Sequence, residues 1–116
     1  MRIRSAAVAA LAALALVASA CGGSTSAQGD LLARIQKNGV IRIATDPNYP
    51  PYSELVDGEY DGFDIAVARL IAGALEVEIE WQTPSWDALT AGNWGDRWDI
   101  SVGSMAQTSE RSKVIN

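Results

Sequence analysis

The sequence predicts an α/β fold with a parallel sheet, because strand-like and helix-like segments alternate along the chain. Residues 40–45 form a β-branched, mostly apolar run of the length of a buried strand. Residues 77–81 alternate strictly between apolar and charged side chains, and 98–103 form a third short strand pattern. Helical patterns at 62–75 and 85–92 separate these strands. Strands that are joined through helices run parallel, with right-handed crossovers.

The first predicted element is a short helix over residues 30–39, just before strand one. Asp30 is a suitable N-cap, and Gly39 is a suitable stop. Three apolar residues share one face of this helix: Leu31, Leu32 and Ile35. We therefore expect the helix to pack through that face.

Strand one ends at a proline-stiffened loop that contains an acid and two aromatic residues. Pro47 follows Asp46 directly and prevents the strand from continuing. The loop places Asp46, Tyr49 and Tyr52 at the carboxyl end of the sheet, where ligands bind in open α/β folds. The alternative is that both tyrosines are packing residues beside an ordinary turn. Residues 53–61 predict an irregular excursion or a hairpin that turns at Asp57.

The later elements carry clear helix signals. Asp64 stands at the cap or first turn of the 62–75 helix, where the helix dipole favours an anion. One apolar face of that helix consists of Ile65, Ala68, Ile71, Ala72 and Leu75. Ser85 is the predicted N-cap of the next helix, and Thr108 that of a last one. The chain stops within that last element, which predicts an N-terminal part of a longer protein.

The N-terminus has the pattern of a secretory leader. Residues 1–4 are basic, 5–20 are uncharged and alanine-rich, and the only cysteine, Cys21, follows at once. The arrangement resembles a bacterial lipoprotein signal, in which Cys21 carries acyl chains such as palmitate after cleavage. Ala18 stands where that signal prefers leucine. Residues 22–29 then form a Gly/Ser-rich linker. The alternative is a cleaved, soluble secretory protein with an incidental cysteine.

Composition excludes several classes of site. The formal net charge is −5 and the chain has no basic cluster, which argues against nucleic acid as a partner. The sequence contains no histidine, so neither a Ser-His-Asp nor a Cys-His catalytic arrangement can form. With a single cysteine besides, a zinc or iron site is not expected, and we expect no cofactor.

Together these residues resemble the bacterial extracellular solute-binding proteins of family 3, which serve amino-acid ABC transporters. Four motifs carry the resemblance: residues 39–46 with 49–52; residues 62–65; Trp86, Leu89 and Gly92 before Asp99; and residues 104–105 with 108–111. The resemblance implies a periplasmic-binding-protein-like type II clamshell with two lobes. Residues 1–20 would then be a lipoprotein signal peptide, 21–29 a lipidated tether, and 30–116 the N-terminal part of lobe one.

The resemblance also assigns ligand contacts residue by residue. Arg111 matches the arginine that forks onto the α-carboxylate of the amino acid, a bidentate task that guanidinium suits. Tyr49 and Trp86 match the aromatics that sandwich the ligand side chain, and Asp46 a contact to its distal polar group. Ser104 and Ala106 match positions near the α-carboxylate. The alternative for Arg111 is a solvated charge paired with Glu110 or Asp99.

Some features depart from the family pattern. Ala66 replaces a usual acid on the helix surface, and Ala106 stands where threonine is common, so one hydroxyl contact is absent. Residues 93–98 are rich in tryptophan. The second lobe, with the acid for the ligand α-ammonium, is not within the chain, so this part alone is not expected to hold an amino acid tightly.

The resemblance therefore implies a non-enzymatic, monomeric binding protein. It would be lipid-anchored on the outer face of the bacterial cell membrane, in the periplasm or at the cell surface. It would deliver a polar amino acid to a membrane permease. Two alternatives share the scaffold: a cyclohexadienyl-type dehydratase, for which Asp46 and Glu54 are the available loop acids, and a sensor module.

Overall fold

The computed structural model describes residues 30–115, and the chain forms α-helices and two small sheets there. The predicted signal peptide, Cys21 and the linker lie outside the described residues. The helices are α1 (Leu31–Asn38), α2 (Phe63–Leu75) and α3 (Trp86–Thr90). The strands are β1 (Val40–Ala44), β2 (Asn48–Tyr49), β3 (Ser53–Val56), β4 (Glu59–Asp61), β5 (Glu78–Gln82) and β6 (Ile100–Ser101). A 3-10 turn spans Arg111–Lys113.

The main sheet is parallel, as the sequence predicts. Its strand order is β5-β1-β6, with β1 in the centre. Val40 pairs with Glu78, and Ala44 with Gln82, so β1 and β5 are matched along their full length. On the other side of β1, Ile43 pairs with Ile100. The carboxyl ends of β1 and β6 therefore lie side by side.

A second, antiparallel sheet has the order β2-β3-β4. The hairpin of β3 and β4 confirms the prediction for residues 53–61, and Asp57 has the positive φ of its turn. Strand β2 is a finding that the sequence did not predict, since a proline-stiffened loop was expected after strand one. Asn48 and Tyr49 form it by pairing with Glu54 and Ser53. The pairing depends on the chain folding back after the prolines, which a local pattern does not reveal.

The largest core cluster lies between the sheet and the first two helices. Its buried members are Ile35, Ile41, Ile43, Ala68 and Ala72. The predicted inner face of α2 is confirmed, because Ile65, Ala68 and Ala72 are buried. The predicted face of α1 is only partly correct, since Ile35 is buried whereas Leu31 and Leu32 are exposed. Asp30 and Gly39 cap α1 as predicted.

A second cluster consists of Ala44, Leu89 and Trp98 and lies beneath the carboxyl end of β1. The indole of Trp94 packs against it and donates from Nε1 to the carbonyl of Leu89 at 2.9 Å. Arg97 lies over the ring of Trp98, 4.5 Å from the ring centroid. The tryptophan-rich segment therefore folds onto the core and supports α3.

Several predicted elements differ from the structure in their bounds or type. The second strand begins one residue later than expected, and the third is two residues long instead of six. The helix predicted after Thr108 is a 3-10 turn, and its N-cap is Glu110 instead of the predicted Thr108. The hydroxyl of Thr108 does accept a hydrogen bond from the amide of Arg111, at 3.2 Å. Single backbone hydrogen bonds to β1 continue on both sides of β6, from the amide of Asp99 to the carbonyl of Arg42 at 2.9 Å and from the amide of Val102 to that of Ala44 at 3.0 Å.

Within residues 30–115, no helix is both long and apolar enough to cross a membrane.

Candidate functional site

A cleft of about 330 Å³ opens at the carboxyl ends of β1 and β6. It lies where ligands bind in open α/β sheets. All six residues predicted to contact a ligand line it: Asp46, Tyr49, Trp86, Ser104, Ala106 and Arg111. The structure therefore places Asp46 and Arg111, which are 65 positions apart in the sequence, in the same cleft.

The side chain of Asp46 is held by hydrogen bonds from Asn48, two residues later. Its Oδ1 accepts the amide hydrogen of Asn48 at 3.0 Å and the Asn48 Nδ2 at 3.1 Å. The hydroxyl of Ser53 donates to the Asp46 carbonyl at 2.5 Å. Among the residues described, Oδ2 has no hydrogen-bond partner, so this oxygen is the acceptor that Asp46 can offer to a ligand.

The structure distinguishes the two tyrosines of the loop. Tyr49 lines the cleft, whereas Tyr52 stacks on Tyr49 from behind, with ring centroids 5.2 Å apart and planes inclined by 21°. The amide hydrogen of Tyr52 is donated to the carbonyl of Tyr49 at 2.9 Å, which closes the turn. Tyr49 remains 50% exposed, so one ring is available on the cleft side while the other supports it.

Trp86 and Arg111 also line the cleft and lie next to each other. Trp86 is the first residue of α3, whose N-cap is Ser85 as predicted, and its side chain is 44% exposed. The Cζ of Arg111 lies 5.3 Å from the centroid of the Trp86 ring. The Nη1 of Arg111 donates to the carbonyl of Ala106 at 2.7 Å. The guanidinium is thus held by an aromatic face and a carbonyl.

Arg111 has no acidic partner within residues 30–115. The alternative interpretation paired it with Glu110 or Asp99, but the salt bridges of Asp99 run to Arg34 and Arg42, at 2.8 and 2.7 Å. Of the residues that line the cleft, only Asp46 and Arg111 carry a charge at neutral pH. The cleft therefore has one fixed anion and one fixed cation.

Ser104 lines the cleft, but its donors are already used. Its amide donates to Asp64 Oδ2 at 2.7 Å, and its hydroxyl donates to Asp64 Oδ1 at 2.8 Å. What remains is the hydroxyl oxygen, which can still accept. Ala106 keeps an amide hydrogen that has no partner among the residues described, while its carbonyl is bonded to Arg111.

The sequence interpretation missed several residues of the cleft. The floor includes Leu89 and Met105, which belong to or pack against the second core cluster. Thr45 and the residues from Ser101 to Gly103 form the wall at the strand ends. A signal for them existed, because each lies at or near the carboxyl end of a predicted strand or one helical turn after Trp86. Glu54, one of the two loop acids considered for catalysis, does not line the cleft.

Away from the cleft, a second set of charges is fully paired. The side chain of Asp99 is 3% exposed and lies against Arg42, with the Arg42 amide donating to it at 2.8 Å. Burial raises the pKa of the Asp99 carboxyl, but hydrogen bonds and charge from Arg42 outweigh burial, so the pKa lies below its ordinary value. The hydrogen bond that Arg42 donates to Asp99 likewise raises the pKa of Arg42. Arg42 also donates to the carbonyl of Asp96.

No three His, Cys, Asp or Glu side chains are grouped as metal ligands within the described part of the chain.

Comparison with known proteins identifies the family. Residues 41–116 match the model of the bacterial extracellular solute-binding proteins, family 3. The chain is 38% identical over 107 residues to a cyclohexadienyl dehydratase of Pseudomonas aeruginosa, covering 91% of this chain and 39% of that protein. It is 30% identical over 104 residues to the L-cystine-binding protein TcyA of Bacillus subtilis, covering 82% of this chain and 39% of that protein.

Solved structures agree with this assignment. An ancestral cationic amino acid solute binding protein is 35% identical, with a TM-score of 0.68 over 72% of this chain and 37% of its own. The arginine-bound form of domain 1 from TmArgBP is 27% identical, with a TM-score of 0.64 over 69% of this chain and 64% of its own.

The chain spans about two-fifths of the length of the curated relatives that it matches. Its architecture is that of type II periplasmic binding proteins. The chain belongs to the bacterial extracellular solute-binding proteins, family 3.

Proposed function

We propose that this protein is the extracytoplasmic binding component of an amino-acid ABC transporter, which captures a polar amino acid and delivers it to a membrane permease. One observation carries the proposal: a single guanidinium, Arg111, faces a cleft that also holds two aromatic rings and one carboxylate. A free amino acid offers an anionic carboxylate and a side chain, and the cleft has a complement for each.

Arg111 is suited to the α-carboxylate. Only its Nη1 is bonded within the described residues, to the carbonyl of Ala106, so the remaining N–H groups are available for a forked pair with a carboxylate. The amide hydrogen of Ala106 lies in the same cleft wall. A carboxylate that binds here would receive charge-assisted hydrogen bonds in a site that a closing second lobe shields from water.

The cleft is also suited to a polar side chain of the ligand. Tyr49 and Trp86 supply aromatic faces for its aliphatic part, and the unpaired Oδ2 of Asp46 supplies an acceptor for a distal donor. Repulsion from Asp46 disfavours acidic side chains. The related ancestral cationic amino acid solute binding protein supports a ligand of this chemistry.

The first lobe would contribute only part of the site. The partner of the ligand α-ammonium is expected in the second lobe, beyond the segment that this chain covers. The arginine-bound form of domain 1 from TmArgBP supports the idea that a first domain can hold ligand by itself. We therefore expect weak binding by residues 30–116 and tight binding by the full-length protein.

The N-terminal pattern and the family support an extracytoplasmic, membrane-anchored location. We propose that residues 1–20 are a signal peptide, that Cys21 is lipidated, and that 21–29 tether a monomeric binding domain to the membrane. Replacement of Cys21 by serine should release the protein from the membrane fraction. Retention of Cys21→Ser in the membrane, with no fatty acid on the parent protein, would contradict the anchor and leave ligand binding untouched.

A thermal-shift screen of the twenty amino acids with the full-length protein tests the binding function. A ligand that binds only the native state raises the melting temperature by mass action. We expect clear shifts with one chemical group of polar amino acids. If no amino acid shifts the melting temperature, the transport proposal is wrong.

A dehydratase is the second candidate, and the similarity to the cyclohexadienyl dehydratase of Pseudomonas aeruginosa favours it. An enzyme of this kind needs a general acid, and Asp46 is the only acid in the described lining of the cleft. Loss of water from a cyclohexadienyl acid, abolished by Asp46→Asn, would support this candidate. The absence of turnover together with amino-acid binding would support transport. A sensor module would bind amino acids but act through a signalling domain.

A further inference from the structure

Asp64 is a buried acid outside the cleft, and the binding function does not use it. It lies in the first turn of α2, is 4% exposed and does not line the cleft. A buried carboxylate is costly unless it is hydrogen-bonded. Both of its oxygens accept from one residue 40 positions later, Ser104, at 2.7 and 2.8 Å. Its contact is therefore with the loop that forms the arginine side of the cleft.

The same turn of α2 also holds the tyrosine side. The amide of Asp64 donates to the carbonyl of Tyr52 at 2.8 Å, and the amide of Phe63 donates to that of Pro51 at 3.3 Å. Gly62 allows this approach, because a Cβ there would lie 2.4 Å from the Tyr52 oxygen, and its φ is +118°. The orphan N–H groups of the helix thus bind the aromatic loop.

Asp64 therefore joins two segments that both contribute residues to the lining of the cleft. Its main chain binds the loop that carries Tyr49, and its side chain binds the segment 103–106. That segment in turn holds Arg111 through the carbonyl of Ala106. The bonds to Ser104 are charge-assisted, and the carboxylate that accepts them is buried, so they are strong for their kind.

We propose that Asp64 is a positioning residue of the ligand site. Through Ser104 it fixes the segment 103–106 relative to the tyrosine loop, and so sets the place of Arg111 before ligand arrives. Asp64 holds segment 103–106 in place whether or not ligand is bound. Its effect on affinity rests on the proposed function.

Amide hydrogen exchange tests directly whether Asp64 holds segment 103–106 in place. It is followed residue by residue by NMR in the ligand-free, full-length protein. Local opening of segment 103–106 should raise exchange at position 104, while the amide of Ile43 reports the core. In Asp64→Ala we expect the exchange rate at position 104, relative to that of Ile43, to rise about tenfold or more. Asp61→Ala is the matched control, because its carboxylate bonds only its neighbour Gly62 among the described residues. That ratio should stay unchanged in the control.

Two further variants keep the test decisive if Asp64→Ala does not fold. Ser104 is exposed, so Ser104→Ala should fold and should raise exchange at position 104 several-fold, because one of two bonds is lost. Asp64→Asn can accept the amide hydrogen and donate to the hydroxyl, so it should keep the ratio near that of the parent. An unchanged ratio in Asp64→Ala, or in Ser104→Ala where the former does not fold, overturns the proposal.

Calorimetry with L-arginine as the probe separates this proposal from the binding function. With a parent that binds L-arginine, Asp64→Ala should weaken affinity about tenfold, Asp64→Asn should largely restore it, and Asp61→Ala should leave it unchanged. Equal affinities of Asp64→Ala and the parent would overturn the positioning role in binding. A parent that binds neither L-arginine nor any other amino acid would contradict the proposed function, while the exchange rates still decide the fixing.

Discussion

Two charged regions within residues 30–115 are built in opposite ways. At the side of the sheet, Asp99 is buried and accepts from both Arg34 and Arg42, so each charge there has a partner. At the cleft, Arg111 has no acidic partner among the residues described, and Asp46 keeps one free oxygen. Paired, buried charges hold segments together, whereas unpaired charges in a cleft are available to a ligand. The difference separates stability from binding on a single small sheet.

The largest effect on stability is expected from Asp99→Ala. The substitution leaves Arg42 without its buried partner and removes the side-chain hydrogen bonds between β1 and the segment before β6. We expect a loss of about 3 kcal/mol in the free energy of unfolding, measured by urea denaturation, because breaking a buried pair leaves an uncompensated charge. The exposed Asp96 is the control, and Asp96→Ala should change stability by less than about 0.5 kcal/mol. A loss in Asp99→Ala no larger than in the control would contradict the structural role.

The same pair predicts how stability depends on pH. The folded pKa of Asp99 lies below its ordinary value, so its stabilising effect is present above the unfolded pKa and is lost as pH falls through the folded pKa. The parent should therefore lose more stability than Asp99→Asn between pH 7 and pH 2, when urea midpoints are compared. The pKa of Arg42 is raised from an already high value, so Arg42 stays charged throughout. Parallel losses in the two proteins would contradict the pairing.

Arg111→Ala should weaken ligand binding and leave stability almost unchanged, in contrast to Asp99→Ala. We expect a loss of at least about 2 kcal/mol in the free energy of ligand binding, measured by calorimetry. Stability should change little, because the guanidinium makes no ion pair within residues 30–115. Lys113→Ala, an exposed cation in the same 3-10 turn, is the matched control and should bind normally. A ligand analogue that lacks the α-carboxylate should lose nothing further in Arg111→Ala. An equal loss with that analogue would place Arg111 elsewhere on the ligand.

The smallest effect is expected from Tyr52→Ala. Tyr52 does not line the cleft but stacks on Tyr49, so its removal should weaken binding only by about 0.5–1 kcal/mol, through loss of support. Tyr49→Ala should cost more, because that ring faces the ligand. Tyr52→Phe keeps the stacked ring and should bind like the parent. A larger loss of binding in Tyr52→Ala than in Tyr49→Ala would contradict the assignment of Tyr49 as the ring that contacts the ligand.

Sequence patterns determined the features that depend on neighbours in the chain. Asp30 and Ser85 cap their helices as predicted, because a cap is a contact between residues two or three positions apart. The alternation of strands and helices determined the parallel sheet, since helical crossovers impose direction. It also determined where the cleft lies, because parallel strands end at one edge, and all six predicted residues line it.

Only the tertiary structure decided which polar groups are partners and which stay free. Asp99 could have paired with Arg111, yet the fold places it against Arg42, 57 positions earlier. Asp64 looked like a helix-capping acid, but its carboxylate binds Ser104. Such pairs form between residues brought together by strand register and helix packing, so no local pattern contains them. The sequence thus determined the residue types at the cleft, and packing decided that Arg111 and one oxygen of Asp46 remain open to a ligand.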